Sequence, residues 1–151
     1  MNLLFFLTPK RELAFVYEDF TVGQALQVME RYRYTAIPVL CRSGEYVGTL
    51  TEGDLLWGIR NRLGQDMKTA EKEPLAKLPR HTHNQAVFAA TNFSEVMARA
   101  LEQNFVPVCD DRGMFIGIVT RKRILAYLYQ HMDDPEPDQE GLLAAVKEAV
   151  S

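Results

Sequence analysis

Two stretches of the sequence decide the fold: AIPVLCRSGEYVGTLTEGDLL at residues 36–56 and FVPVCDDRGMFIGIVTRKRIL at residues 105–125. They align without a gap at an offset of 69 residues. Self-similarity at a fixed offset indicates one structural unit that is used twice. Proline, glycine, threonine and apolar residues recur in the pairs Pro38/Pro107, Gly44/Gly113, Gly48/Gly117, Thr51/Thr120, Ile37/Val106, Val47/Ile116, Leu50/Val119 and Leu55/Ile124.

Each copy reads as a helix, a strand, a glycine turn, a second strand and a second helix. The turns SGEY and DRGM predict hairpins in which glycine takes a positive φ. Upstream, TVGQALQVMER and FSEVMARALEQ are amphipathic and predict helices with Thr21 and Ser94 as N-caps. The first copy has about three extra residues, around RYRYT, before its strand. Short strand candidates, LAFVY (13–17) and AVFAA (86–90), precede the two helices.

The repeat predicts three segments: a first repeat at 1–65, a second repeat with its leading linker at 66–130, and a tail at 131–151. One copy has too little core to stand alone, so we expect two pseudo-symmetric β-α-β-β-α repeats to pack sheet to sheet in one α/β (α+β) module. In the tail, HMDDPEPDQE predicts an extended acidic spacer. GLLAAVKEAV predicts a short helix that docks or frays.

Composition and charge narrow the class of protein. The chain is 47% hydrophobic and 25% charged, as in soluble globular proteins. MNLLFFL is too short to span a membrane and has no basic segment before it, so we expect a cytoplasmic protein whose N-terminus packs on the domain. The net charge is −3, but six acidic residues and one lysine follow residue 132, which leaves +2 for the rest. Without a basic stripe, we expect no nucleic-acid partner.

Neither metal nor disulfide chemistry is expected. Cys41 and Cys109 lie far apart in the sequence and predict free thiols. His81, His83 and one cysteine form a poor metal site, because a zinc site needs more ligands at tighter spacing. There is also no constellation of nucleophile and base and no phosphate-binding glycine loop, so we expect no catalytic residues and no enzyme.

The repeat resembles the CBS domain, two of which form the pair called a Bateman module. The resemblance rests on Ile37-Pro38-Val39 and Val106-Pro107-Val108, on the turn glycines, and on Gly-x-x-Thr before the last helix, over about residues 10–130. It implies a compact α/β unit that usually forms a homodimer and binds adenosine-containing ligands in clefts between the sheets. AMP, ADP, ATP, S-adenosylmethionine and cyclic di-AMP all fit this class, and no other cofactor is implied.

The residues Thr51-Glu-Gly-Asp54 have two compatible interpretations. On its own the motif is a capping box, in which the threonine hydroxyl accepts a first-turn N–H and the carboxylate favours the positive end of the helix dipole. The resemblance implies that Thr51 and the first-turn amides hold phosphate, while Asp54 accepts bonds from the ribose hydroxyls. The chemistry fits, because a helix N-terminus suits an anion and a carboxylate only accepts hydrogen bonds.

The resemblance also implies an adenine cleft formed by Val16, Tyr17, Tyr34, Thr35, Ala36, Ile37 and Pro38. Tyr34 has the alternative of an exposed turn aromatic. In the second copy Arg123 replaces Asp54, so the ribose acceptor is lost. There Thr120 either caps the helix or meets a phosphate, and Arg121, Lys122 and Arg123 either form a solvated basic patch or reach the phosphates of a ligand. We therefore expect one competent nucleotide site instead of two equal ones.

Two functions stay open. The first is a regulatory sensor, in which an adenine nucleotide or related adenosyl ligand biases the packing of repeats or subunits. Its output passes to a separate, unknown regulated protein or through rearrangement of the dimer. The alternative is a ligand-free structural or interaction protein that uses the fold and the tail for protein contacts. Trp57, after two leucines, predicts a helix packed in a core or a dimer interface.

Overall fold

A computed structural model describes residues 2–63, 66–79 and 84–130, together with residues 144, 147, 148 and 150. His81, His83 and most of the tail therefore lie outside the described residues. Contacts divide the chain into two compact units that do not follow the order of the sequence. The first unit is Ala14–Asn84, and the second unit combines Met1–Leu13 with Gln85–Ser151.

The predicted order of strand, turn, strand and helix is confirmed in both copies, and the architecture is mixed α+β. A π-helical turn, Ile59–Leu63, continues the second helix, and no described helix is long and apolar enough to cross a bilayer. The helices and strands are β1 (Leu7–Pro9), β2 (Val16–Tyr17), α1 (Val22–Tyr32), β3 (Ala36–Leu40), β4 (Tyr46–Thr51), α2 (Glu52–Gly58), α3 (Met67–Ala70), β5 (Val87–Phe88), α4 (Phe93–Glu102), β6 (Phe105–Cys109), β7 (Phe115–Thr120) and α5 (Arg121–Gln130).

The first unit contains a sheet in the order β2-β3-β4, with β2 parallel and β4 antiparallel to β3. Thr21 caps α1 as predicted, because its hydroxyl accepts the N–H of Gln24 and the Gln24 side chain accepts the N–H of Thr21. Trp57 is 47% exposed, so it does not lie in the core of this unit. The core is formed by Ala14, Val16, Val22, Ala25, Met29, Ile37, Val39, Leu50, Leu55, Leu75 and Leu78.

The second unit contains a sheet in the order β1-β7-β6-β5. Its central hairpin repeats the register of the first unit: Phe105 pairs with Thr120 as Ala36 pairs with Thr51, and both hairpins shift register near the end of the inner strand. Helix α4 begins after Asn92 and not after the predicted cap Ser94. The Asn92 side chain accepts both the N–H of Glu95 and the hydroxyl of Ser94, so Ser94 serves as a donor inside the first turn.

The turn glycines and the N-terminus also behave as predicted. Gly44 and Gly113 have φ values of 97° and 81°, which favour glycine. Leu3 and Phe6 are buried in the core of the second unit. β1 extends this contact, because it pairs antiparallel with β7 along its whole length. Cys41 and Cys109 are free thiols.

Candidate functional site

The candidate site lies where β4 passes into α2 in the first unit. Thr51 ends β4 and caps α2, with an extended backbone at φ −109° and ψ 161°. Its Oγ1 accepts a hydrogen bond from the Asp54 N–H at 3.1 Å, and Asp54 Oδ2 accepts one from the Thr51 N–H at 3.0 Å. The predicted capping box is therefore present, and it fixes a carboxylate at the positive end of the helix dipole.

The Asp54 side chain is buried, with an exposed fraction of 2%. Aspartate is rarely buried to this extent without bonding partners. One of the bonds to this carboxylate comes from the Thr51 N–H. Because the Asp54 side chain is buried, a ligand that donates to it must first uncover it.

The start of β3 lies beside the same junction. Ala36 pairs with Thr51 in the β3–β4 ladder, and the Thr35 carbonyl accepts the N–H of Glu52 at 3.0 Å. The Thr35 side chain is exposed, whereas Ala36 is 9% exposed. The backbone thus brings Thr35 and Ala36, two of the residues expected to read adenine, to the residues expected to hold ribose and phosphate.

Tyr34, Ile37 and Pro38 flank these two residues. Tyr34 is half-buried and packs against the core of the first unit, with its ring centroid 5.9 Å from that of Tyr32. It is therefore not the exposed turn aromatic of the alternative interpretation. Ile37 and Pro38 are both buried, and Ile37 belongs to the core.

Val16 and Tyr17 lie at the other end of β3. They pair with Val39 and Leu40, which places them roughly 10 Å along the strand from Ala36 at about 3.3 Å per residue. Val16 is fully buried in the core of the first unit. The ladder therefore does not bring these two residues to the β4–α2 junction.

The Tyr17 ring is covered by an ion pair in this structure. Arg42 Cζ lies 4.1 Å from the ring centroid, and Arg42 donates to the Asp19 carboxylate at 2.7 and 2.9 Å. The hydrogen bond from Arg42 is the main reason that the pKa of Asp19 lies below its ordinary value. This contact holds the β3–β4 hairpin against the turn that follows β2.

The second unit repeats only half of the capping box. Thr120 Oγ1 accepts the N–H of Arg123 at 3.1 Å, as Thr51 accepts that of Asp54. The arginine side chain cannot return a bond to the Thr120 N–H, because a guanidinium has no acceptor. Lys122 and Arg123 are exposed, which both interpretations of these residues require.

Arg121 is exposed like its two basic neighbours, but its guanidinium bonds the protein backbone. Its Nε donates to the Ala100 carbonyl at 2.7 Å, and its Nη2 donates to the Gln103 carbonyl at 2.9 Å. The Arg121 side chain is thus exposed but bonded to the backbone, and its interpretation as part of a basic patch or as a phosphate ligand stays a prediction. Its guanidinium satisfies carbonyls at the negative end of the α4 dipole, where a cation is favoured.

The two copies differ in how the helix before the hairpin ends, and this difference indicates the role of Arg121. In the first copy, α1 ends in the left-handed residue Arg33, with φ 57°, and the Tyr34 N–H donates back to the Met29 carbonyl at 3.1 Å. This closure uses the extra residues that the second copy lacks. In the second copy, α4 ends at an extended Gln103, with φ −114°, so its last carbonyls need another donor.

A cavity of about 400 Å³ opens beside Tyr34 and Leu55 in the first unit. Its charged lining residues are three carboxylates, Glu30, Glu52 and Glu71, and one cation, Arg33. The excess of negative charge in this lining disfavours the phosphates of a nucleotide inside the cavity. Within the described part of the chain, no group of three or more His, Cys, Asp or Glu side chains is placed to hold a metal ion.

Comparisons with known proteins agree with this geometry. A family model for the CBS domain matches residues 7–61 and 82–130. The CBS domain protein from Streptococcus pneumoniae TIGR4 is 25% identical, with a TM-score of 0.78 over 87% of this chain and 88% of that chain. CBSX2 in complex with AMP is 26% identical, with a TM-score of 0.69 over 85% and 96%. The Listeria monocytogenes CbpB protein in complex with c-di-AMP is 22% identical and shares the fold, with a TM-score of 0.76 over 86% and 96%.

The curated relatives are much longer than this chain. Homoserine O-acetyltransferase of Methanohalophilus mahii is 24% identical over 115 residues, which are 76% of this chain and 22% of that protein. The chain spans about a fifth of the length of the curated relatives that it matches. The family model covers both copies of the repeat, and the two hairpins share one register. The chain belongs to the CBS-domain family and carries two CBS domains in tandem.

Proposed function

We propose that the chain is a regulatory module that binds an adenine nucleotide at the β4–α2 junction of the first unit. The observation that carries this proposal is the Asp54 carboxylate, which is buried, fixed by the Thr51 N–H and adjacent to the start of β3. The complexes of CBSX2 with AMP and of CbpB with c-di-AMP support an adenine compound as the ligand class.

Each group of the nucleotide has a partner at the junction. The two vicinal ribose hydroxyls donate to Asp54, because a carboxylate accepts more than one hydrogen bond. The phosphate meets the Thr51 hydroxyl and the first-turn N–H groups of α2, where the helix dipole favours an anion. The backbone of Thr35 and Ala36 reads the edge of the base.

The burial of Asp54 links binding to a change of conformation. At 2% exposure the carboxylate cannot meet a ribose until its surroundings move. A nucleotide therefore binds an opened arrangement better than the closed one, and this difference in affinity shifts the population. The shift is the signal that the module passes to a regulated protein or through a rearranged homodimer. The homodimer, the regulated protein and the cytoplasmic location remain predictions.

A ligand-free interaction protein is the second candidate function. It is favoured by the large apolar side chains that α2 and α5 expose, since exposed apolar groups concentrated on an element suit a protein contact. Leu56 and Trp57 are 59% and 47% exposed, and Leu125 and Tyr129 are 57% and 79% exposed. No ligand is needed for this role, so nucleotide binding separates the two candidates.

The test is a thermal-shift and calorimetric screen of the chain and Asp54→Asn against AMP, ADP, ATP, S-adenosylmethionine and cyclic di-AMP. A ligand at 100 times its Kd stabilises the fold by about 2.7 kcal/mol, a shift of several degrees. Asparagine can still accept the Thr51 N–H, but it loses the charge and one acceptor oxygen. We expect it to weaken binding at least ~10-fold, since hydrogen bonds to charged groups contribute about 1.5–3 kcal/mol.

Asp66→Asn is the matched control. Asp66 also caps a helix, since it accepts the Thr69 N–H at 2.8 Å, but it is exposed at the start of α3. We expect this variant to bind as the parent chain does. Absence of a shift with all five compounds would reject the proposal and favour the interaction protein. Full affinity in Asp54→Asn would show that the ribose does not bind to Asp54.

A further inference from the structure

Arg121, the first residue of α5, bonds the backbone of the connection between α4 and β6. Its Nε donates to the Ala100 carbonyl at 2.7 Å, and its Nη2 donates to the carbonyls of Gln103 at 2.9 Å and Leu101 at 3.4 Å. Bonds from a guanidinium to carbonyls are charge-assisted and stronger than neutral ones. Arg121 thereby ties the start of α5 to the segment that leads into β6.

This segment of the second copy corresponds to the adenine-reading segment of the first. At the repeat offset of 69 residues, Gln103 matches Tyr34 and Phe105 matches Ala36. The Gln103 carbonyl accepts from Arg121, and the Phe105 carbonyl accepts from the buried Gln103 side chain at 3.2 Å. Both carbonyls are therefore engaged by side chains of the chain itself.

In the first copy the second helix bonds this connection through its backbone, since the Glu52 N–H donates to the Thr35 carbonyl at 3.0 Å, and not through a side chain. Glu52 stands at the position of Arg121, and a carboxylate cannot donate to a carbonyl. Helix α1 is instead closed by its own backbone, through the left-handed Arg33 and the Tyr34 N–H. The connection before β3 is thus held by backbone hydrogen bonds and not by a side chain of α2.

We infer that Arg121 closes the second CBS domain to adenine ligands and so determines which of the two domains binds. The exocyclic amine of adenine recognises a carbonyl by donating to it, and at Gln103 this position is held by a charged donor. The neutral bond from the Gln103 side chain to Phe105 is weaker and can be exchanged for a ligand amine. The identity of the ligand rests on the proposed function, whereas the closure rests on the Arg121 bonds.

The test counts nucleotide sites per chain by calorimetry with AMP and with cyclic di-AMP. Arg123→Asp restores the ribose acceptor but keeps the Arg121 bonds, so we expect it to add no site. Arg121→Met combined with Arg123→Asp removes those bonds and keeps an apolar stem, and we expect one additional site per chain. Lys122→Met combined with Arg123→Asp is the control, because it makes the same change of charge at an exposed side chain. We expect no additional site in this control.

An additional site in Arg123→Asp alone, or in the Lys122 control, would overturn the inference. So would the absence of an additional site in the Arg121 double variant, once hydrogen exchange has shown that its β6–β7 hairpin is as protected as in the parent. If that variant does not fold, it is replaced by Arg121→Gln combined with Arg123→Asp. The glutamine amide is neutral, so it keeps a hydrogen-bond donor but removes the charge that strengthens the Arg121 bonds. Failure of the proposed function appears separately, as no site in the parent chain, because the inference is judged on the difference between variants.

Discussion

Thr51 and Thr120 each accept a backbone N–H from the residue three positions later in the two units. These residues, Asp54 and Arg123, carry opposite charges. Asp54 accepts the N–H of Thr51, and its negative charge lies at the positive end of the α2 dipole. Arg123 cannot accept from Thr120, and its positive charge lies at the corresponding end of α5. We therefore expect equivalent positions in the repeat to have opposite effects on helix stability.

Alanine at these two positions should therefore change stability in opposite directions. Asp54→Ala removes an acceptor and a favourable charge, and we expect a loss of about 1 kcal/mol. Arg123→Ala removes an unfavourable charge, and we expect no loss or a gain of a few tenths of a kcal/mol. Urea denaturation measures both. Thr51→Ala and Thr120→Ala serve as references, because each removes one hydroxyl cap and should cost about the same. Equal losses in Asp54→Ala and Arg123→Ala would mean that the carboxylate does not stabilise α2.

At the level of secondary structure, the contact between β1 and β7 depends on one glycine. Pro9 pairs with Gly117, and a β-carbon at residue 117 would lie 2.2 Å from the Thr8 carbonyl oxygen. That oxygen belongs to the backbone, so it cannot move away without separating the two strands. Gly117 therefore permits the close approach of β1 to the second unit.

Gly117→Ala should weaken this pairing. Forcing an extra carbon into a packed site costs typically about 1–3 kcal/mol, and we expect a loss in that range with faster amide exchange in β1 and β7. Gly53→Ala is the control, since its β-carbon would meet nothing closer than 3.7 Å and alanine favours a helix. Its stability should be unchanged or higher. Similar destabilisation by both exchanges would contradict the close approach of β1.

The sequence predicts the elements that repeat and misses the contacts that do not. The offset of 69 residues predicts both hairpins and their shared register, because equal patterns at equal spacing form equal ladders. Partners that are distant in the chain leave no such pattern. The pairing of β1 with β7 and the bonds of Arg121 to the end of α4 are of this kind. The sequence predicts the N-cap of α4 two residues too late, because asparagine and serine are both good caps.

The residues of the candidate site also differ in whether the sequence predicts their positions. The capping box of Thr51 and Asp54 follows from four consecutive residues, so the sequence alone predicts it. The neighbours Thr35 and Ala36 follow from the hairpin register. Val16 depends on where a two-residue strand attaches to β3, and so short a pattern does not specify its distance from the junction.

At the scale of the whole molecule, the two units do not follow the order of the chain. Residues 1–13 precede the first copy of the repeat, but they belong to the second unit, where Leu3 and Phe6 are 2% and 1% exposed. The Phe6 ring lies 4.9 Å from that of Phe93, the first residue of α4. The N-terminus therefore completes a core whose other members begin more than 70 residues later.

A core substitution near the N-terminus should consequently act on the second unit. Phe6→Ala removes a buried ring, which typically costs about 3–5 kcal/mol, and we expect faster amide exchange in α4, β6 and β7. Exchange in β3 and β4 should change little, although these strands are closer to Phe6 in sequence. Leu50→Ala is the matched control, since Leu50 is 1% exposed in the core of the first unit and should give the converse pattern. Trp57, the single tryptophan, gives an independent fluorescence signal from the first unit. Equal acceleration in both units by Phe6→Ala would mean that they unfold as one cooperative body, and the division of the chain at residue 13 would then have no thermodynamic meaning.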